Sequence, residues 1–521
     1  MKKVVSLFIS LFLAGGSLYA QEMLDAYKYS QNDLHGTARF SSMAGAFGAL
    51  GGDISTMATN PAGIGIYRSS EVVATLNLSS IKANSDLSGS KIDQSKTKFN
   101  FDNIAYVGYF PTGNYSGIKG WNVGFAYNRV KNYARSYRTK GKPGSSLSDY
   151  IAALTNDLAI GNSDYTGDNL WLTDKHDPFN SNLNHISVAG YSGGLIGADD
   201  PNVRGGFFNP FSAIQQAELE VVERGAIDQY DFVLATNVSD IVFLGATFVL
   251  TDIDYGYNSF FREDFNNNEY SEMYNSLNTE GNGYSFNVGA IVRPLEYLRL
   301  GVAYNSPTWY KLTDFSYVEA GSFIPGDIEI DPVYNNPAPK DYKLKTNDRW
   351  IFSAAGFIGQ YGLISVDYEL NNYKNMSLSN YNGFEMSGPN DNIKQAFGTS
   401  GTLRIGAEAK ITPQFAVRAG GAWANSPIKS HIKENTQEVY VAGTIPHYAI
   451  DKGVNYYTVG FGYRFTPNFY ADLACVYKTH KEDVYSFSRI YDPELKKDIL
   501  STPATMKTNT TRVSLTFGYK F

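Results

Sequence analysis

The 521 residues carry a formal charge of -7, six histidines and one cysteine. The acidic balance opposes a nucleic-acid partner, and Cys475 alone builds neither an intramolecular disulfide framework nor a cysteine-based zinc cluster. Aromatic residues reach 15%, charged residues only 18%, and glycine stands at 49, the mixture expected of strands that face lipid between two aromatic girdles.

At the start, Lys2 and Lys3 precede an apolar run over residues 4–14 and a small, weakly polar stretch that ends at Ala20. This is the layout of a secretory signal over 1–20, cleaved before Gln21. The run falls short of the roughly twenty residues a helix needs to cross hydrocarbon, so export is expected and a helical anchor is not.

From 21 to 70 strand alternation is absent, and Gly36, Gly45, Gly48, Gly51, Gly52, Gly63 and Gly65 punctuate small residues. Such a segment is too glycine-rich for long helices and suits packing inside a lumen as a plug. Near its end stand Asn60, Pro61, Ala62 and Gly63. Pro61 fixes its own φ and holds Asn60 extended, while the Asn60 side chain can bond local backbone. The spacing predicts a rigid corner against the wall, and these four residues are the expected gate.

Over 71–521, alternation bounded by turn residues predicts fourteen strands, near 71–79, 100–110, 120–130, 229–237, 241–253, 284–293, 297–305, 349–358, 362–370, 402–411, 414–424, 454–465, 468–478 and 509–521. Each is about ten residues, enough at about 3.3 Å per residue and a 45° tilt to span the lipid-facing band. Connections alternate between short turns, expected in the periplasm, and long outer loops. The longest, an insertion at about 131–228, holds two segments with helical spacing, 147–160 and 212–224, expected to cap the mouth. The fold class is therefore an all-β transmembrane antiparallel barrel of about fourteen strands, in one domain, in the outer membrane of a Gram-negative cell.

The polar phase of these strands carries Arg293, Arg299, Asp367, Glu369, Arg404, Glu408, Arg418, Arg464 and Arg512. Structural cross-strand pairs are the first expectation, with Glu408 and Arg418 near-opposite. Arg404, Arg418 and Arg299 are the candidates to meet a ligand carboxylate, since a bidentate guanidinium fits that group. In the last strand Val513, Leu515, Phe517, Tyr519 and Phe521 alternate with polar or small residues. A strand ending in a C-terminal Phe resembles the terminal assembly signal of outer-membrane barrels, which implies the barrel assembly machinery as a partner.

Other chemistries find little support. The glycines at 45, 48, 51 and 52 lack the Lys-Ser or Lys-Thr of a phosphate loop. The six histidines lack the paired spacing of a zinc site. No histidine falls inside a predicted strand, as a membrane-embedded hydrolase would require. No cofactor and no enzymatic activity are expected. Haem reception through His176, His185, His431 or His447 and a general porin are the alternatives.

The stretch Arg39-Phe40-Ser41-Ser42-Met43-Ala44-Gly45-Ala46 leading to Asn60-Pro61-Ala62-Gly63 resembles the hatch and Asn-Pro-Ala motif of the FadL family of long-chain fatty acid and hydrophobic-compound transporters, in the branch common in Bacteroidetes. Further matches are Leu300-Gly301-Val302-Ala303-Tyr304-Asn305-Ser306-Pro307, Leu363-Ile364-Ser365-Val366-Asp367-Tyr368-Glu369, Leu403-Arg404-Ile405-Gly406-Ala407-Glu408 and Val417-Arg418-Ala419-Gly420. Asn305 departs from the family, whose members often carry Arg there. The resemblance implies a fourteen-strand barrel, an N-terminal hatch, an outer groove for hydrophobic small molecules, passive passage and lateral release through a kinked strand. A monomer in contact with outer-membrane lipids and lipopolysaccharide is expected.

Overall fold

The computed structural model describes residues 23–326, 330–335, 338–440, 443–492 and 496–521; the expected signal at 1–20 lies outside the described residues. Fourteen strands form the wall in chain order: β1 Glu71–Leu87, β2 Ser90–Pro111, β3 Ile118–Asn132, β4 Ile214–Val238, β5 Val242–Phe265, β6 Tyr270–Leu295, β7 Leu298–Asn305, β8 Arg349–Ile358, β9 Gly362–Asn372, β10 Thr399–Lys410, β11 Phe415–Ala424, β12 Tyr448–Arg464, β13 Phe469–Tyr485 and β14 Ala504–Lys520. Each pairs antiparallel with its chain neighbour along at least part of its length, and β14 returns to β1 from Glu71↔Lys520 to Asp86↔Thr505, closing the barrel. Every one of the fourteen predicted strands overlaps one of these.

The strands run farther out than alternation alone predicts. Residues 80–99, expected as a loop, are a paired hairpin with Leu87↔Ser90 at its tip. Much of 254–283, also expected as a loop, continues β5 and β6 out to Asp264↔Tyr270. The segment 212–224 forms no helix: from Ile214 it is the outer part of β4. Leu219 and Val221 are buried there while Glu220 and Val222 face out, a period of two that suits a strand. The other helical expectation holds as Leu147–Ala159, opened by a capping box between Ser146 and Asp149.

The polarity of the wall inverts along these long strands. On β4 and β5, Tyr230, Phe232, Leu234, Leu244, Phe248 and Leu250 face outward and are exposed, whereas Asp231, Asn237, Thr247 and Thr251 are buried inward. Farther along the same strands the outward residues become Glu220, Arg224, Asp252 and Asp254, and the inward ones Leu219, Val221, Ile227, Ile253, Tyr255 and Phe261. The first regime is that of lipid outside and polar lumen inside; the second is that of water outside and an apolar core inside. The change falls between Leu250 and Asp252 and between Asn282 and Tyr284 on β6, and so marks the outer surface of the membrane.

Above that level one apolar cluster joins the wall (Tyr255, Phe261, Leu277), the helix at 147–159 (Leu147, Ile151) and the N-terminal helix Met23–Tyr29 (Met23, Ala26, Tyr27). At roughly 1.5–3 kcal/mol for each fully buried large apolar side chain, this cluster holds the cap, 142–213, over the mouth.

Candidate functional site

The N-terminal segment fills the lumen as short pieces: helices Met23–Tyr29 and Ala38–Ser42, then 3-10 turns Ile54–Ala58 and Pro61–Ile66. Short pieces leave many backbone groups without helical partners, and side chains of the wall satisfy several of them. Thr516 accepts from the Ala38 amide at 2.7 Å, Asp367 from the Gly48 amide at 2.9 Å, and Thr458 donates to the Ser42 carbonyl at 2.8 Å. Thr247 donates to the Met57 carbonyl and Asn305 to that of Ala58, at 2.9 and 3.2 Å. The polar lumen face is thus the mould of the hatch.

The corner at Asn60 forms as its sequence predicts. Asn60 is extended, with φ -125 and ψ 99, and its side-chain oxygen caps the turn by accepting from the Ala62 amide at 3.2 Å. Its Nδ2 donates to the Gly48 carbonyl at 2.6 Å and more weakly to that of Ala290 at 3.4 Å. Pro61, Ala62 and Gly63 are buried with it. Two wall glycines make the docking possible: a Cβ on Gly289 would stand 1.9 Å from Asn60 Oδ1, and one on Gly245 would stand 2.3 Å from the Pro61 carbonyl carbon.

The three arginines expected to meet a carboxylate have other partners here. Arg418 is buried between Glu408 and Asp472, at 2.6 and 2.5 Å. Arg404 pairs with Glu369 at 2.8 Å. Arg299 donates to the Leu50 carbonyl at 2.6 Å and stacks 4.6 Å from the Phe357 ring centroid. The near-opposite placing of Glu408 and Arg418 is a direct cross-strand register pair.

Two cavities lie above and beside the hatch. The upper, about 230 Å³, is walled by Tyr133, Tyr137, Tyr257, Tyr448 and Ile445 over a charged floor. The second, about 130 Å³, runs down beside Phe40, Ala44 and Thr59 and shares with the first Tyr27, Gln31, Asp33, Lys131, Asp451, Lys478 and His480. At this floor Asp33 receives Lys131 at 3.5 Å and Lys478 at 2.5 Å. Burial opposes its ionisation, but the two ammonium groups outweigh it and hold the carboxyl well below the usual carboxylate range. Asp451 accepts from Tyr27 at 2.7 Å and pairs with His480 at 2.8 Å.

Alternation did not point to this floor, because its residues come from the hatch, β3, β12 and β13. Phase signals only Lys478, which stands on the inward face of β13; Lys131 follows the outward phase of β3 and is turned inward by the register shift between Arg129 and Lys131.

Of the histidines named for haem, His176 bonds the Asn169 carbonyl at 3.1 Å in the cap, His185 starts the helix His185–Ser192, and His431 lies on the short helix Ser430–Lys433. Only His447 borders the upper cavity; its Nδ1 meets the Ser486 carbonyl at 2.7 Å, and burial pushes its pKa down to about 4. No group of three or more metal-ligating side chains is gathered among the described residues.

A closed fourteen-strand barrel with a lipid-facing apolar band, a polar lumen and an internal hatch is an integral outer-membrane protein. Residues 263–521 match the family described as outer membrane protein transport protein (OMPP1/FadL/TodX). The fold is shared with a Pseudomonas aeruginosa FadL homologue, at 13% identity over 94% of this chain and 99% of that one, with a TM-score of 0.50. The Pseudomonas putida toluene transporter TodX aligns over the same shares at 10% identity and a TM-score of 0.51. A TodX monoaromatic hydrocarbon channel variant covers 94% of this chain and 100% of its own at 11% identity and a TM-score of 0.53. No curated protein matches in sequence. Over residues 263–521 the chain is thus similar to outer-membrane transport proteins of the FadL/TodX type, which are transport channels and not enzymes.

Proposed function

We propose that the protein takes up hydrophobic and amphipathic small molecules, long-chain fatty acids among them, by passive diffusion from the outer surface. The observation that carries this reading is the inverted polarity of the wall: beyond the membrane the barrel interior is apolar, with Ile253, Tyr255 and Phe261 turned inward. A general porin needs a wet mouth; this one favours transfer of apolar surface out of water. A ligand captured there meets the upper cavity, with its tyrosine and Ile445 walls above a charged floor, a pairing suited to a molecule with one apolar and one polar end.

Lateral release finds support in the ladder of β2. Its residues 103–111 pair with β3, from Asn103↔Asn128 to Pro111↔Gly120. Its outer residues 90–102 pair with β1 alone among the described residues, while the chain beyond Asn128 pairs with β4. The wall is therefore unzipped between β2 and β3 above Asn103, beside the exposed Phe99 and Phe101 and near the cavity residues Lys131 to Arg135. On this reading the seam is the way out to the bilayer, and the protein works as a monomer among lipopolysaccharide, inserted by the assembly machinery through the Phe521 strand.

The test is uptake of radiolabelled oleate and of toluene by a deletion strain and by the same strain complemented. Loss on deletion and recovery on complementation support the reading. Unaltered uptake of every such compound, with growth on haem lost instead, overturns it and moves the ligand to haem, which only the free Nε2 of His447 at the upper cavity favours.

A further inference from the structure

We infer that Arg349 is the residue that reads the polar end of the transported molecule, and that the site beside the hatch selects an anionic head. The inference rests on the uptake reading above and adds to it the charge of the ligand.

Arg349 opens β8, directly opposite Asn305 on β7 and Asn371 on β9. Its neighbour Trp350 faces lipid and is 44% exposed, so by strand alternation Arg349 faces the lumen. It borders both the 130 Å³ cavity beside the hatch and a smaller polar cavity of about 30 Å³ on the other side, lined by Ser285, Asn287, Thr308 and Asn347. It stands where the two spaces meet.

The other cations around these spaces are neutralised. Lys131 and Lys478 share Asp33, Arg404 holds Glu369, Lys28 holds Asp25, and Arg135 holds Glu223 and Glu482. Among the lumen arginines outside the cavities, Arg418 has two carboxylates, Arg299 a carbonyl, and Arg512 lines neither space. Arg349 has no carboxylate within 4 Å among the described residues. Its one close partner is neutral: in the orientation that satisfies both ends of the Asn32 amide, the side-chain oxygen accepts from Arg349 Nη1 at 3.3 Å.

The shell around it is built of amides that cannot supply the missing charge. Asn305 is used on the Ala58 carbonyl, Asn371 on Glu369 and Asn347 on Asn371. The carboxylates that feel its charge, Glu369 and Asp231, bond Arg404, Asn371 and Asn128 instead, so a guanidinium with five donors faces two cavities without an ion pair of its own, a site for an anion from outside. Carboxylate suits its planar fork, two parallel N–H donors to two oxygens. Asn32 belongs to the hatch, so an anion that draws Arg349 away also removes a contact between hatch and wall.

The test compares hexadecanoate with hexadecan-1-ol, titrated into the purified full-length protein in detergent, in the wild type and in Arg349→Gln. The wild type is expected to bind the acid about 10- to 100-fold more tightly than the alcohol, the range of a charge-assisted hydrogen-bonded pair. In Arg349→Gln the acid should weaken to the level of the alcohol while the alcohol is unchanged. Arg349→Lys should retain part of the preference, and Arg512→Gln all of it. Folding of each variant is read from the shift of the unheated band on a gel, and if the glutamine variant does not assemble the lysine variant carries the comparison. A wild type that binds acid and alcohol equally, or an Arg349→Gln protein that keeps the preference, overturns the assignment while leaving the uptake reading intact. A wild type that binds neither overturns both.

Discussion

Arg39 of the hatch donates to Glu408 of the wall at 3.1 Å, through the same carboxylate oxygen, Oε2, that accepts from Arg418 at 2.6 Å. One wall carboxylate therefore serves two tasks, pairing β10 with β11 and tying down the plug. Removing one member of a buried ion network is strongly destabilising because the others lose their partner, by about 3–5 kcal/mol. Glu408→Ala is expected to lower the temperature at which the folded gel band converts to the unfolded one. Arg39→Gln should leave that temperature nearly unchanged and raise single-channel conductance, since only the hatch loses its tie. Equal effects of the two would show that Glu408 does not couple the two parts.

The corner at Asn60 makes a sharper prediction for gating. Asn60→Ala removes the bonds to Gly48 and Ala290 and is expected to reduce hydrophobic uptake without lowering the amount of folded protein. Gly289→Ala should act from the opposite side, because its Cβ would fall 1.9 Å from Asn60 Oδ1 and displace the corner. Deleting residues 21–70 should leave an assembled barrel that passes small polar solutes. Unchanged conductance after that deletion would put the segment outside the pathway.

The lipid face predicts assembly. Phe461 is exposed in the middle of the outward apolar row Tyr457, Val459, Phe461, Tyr463 and Phe465 at the end of β12, and an arginine at mid-bilayer costs about 2–4 kcal/mol. Phe461→Arg should reduce the heat-modifiable fraction. Arginine at the flanking glycines, which face inward, is no neutral control: a Cβ on Gly460 would meet Ser42 of the hatch at 2.4 Å, and one on Gly462 would meet Asp472 at 2.3 Å. Gly460→Ala is therefore expected to disturb the hatch and spare assembly, read as altered conductance with an unchanged folded fraction.

Acid should loosen the hatch through His35 before it reaches Asp33. Burial, aided by Arg512 and Arg349, pushes His35 down to about 4, so the docked hatch keeps it neutral. Undocked, the imidazole takes a proton below about 6.5, and docking loses stability as pH falls from there to about 4. The Asp33 carboxyl is depressed instead; its contribution is fully present above about pH 4 and is lost only below. Conductance of the wild type should rise between pH 6.5 and 4, and His35→Asn should flatten that rise. A slope that survives in His35→Asn would assign it to another group.

Fourteen strands, their inward and outward phases and the presence of a plug were legible in the sequence because lipid acts as a uniform solvent on one side of the wall. It imposes a period of two that no local contact overrides, so Phe461 and Thr458, or Phe517 and Thr516, declare their faces without the structure. Asn60 and Pro61 were equally legible, since their geometry is set by φ and a short side chain. Above the membrane the solvent changes sides. Ile253, Tyr255 and Phe261 then point inward where Phe248 and Leu250 pointed out, and the phase break hides strand under what reads as loop at 254–283 or as helix at 212–224. Which arginine faces the cavities without an ion pair was decided only by tertiary structure. Arg404, Arg418 and Arg349 look alike in sequence, and what separates them is that the first two are bonded by Glu369, Glu408 and Asp472, while Arg349 forms no salt bridge among the described residues. Spacing across a short turn declares Glu408 opposite Arg418, but the partners of Arg404 and Arg349 depend on side-chain placing among the hatch and several strands, which spacing along the chain does not encode.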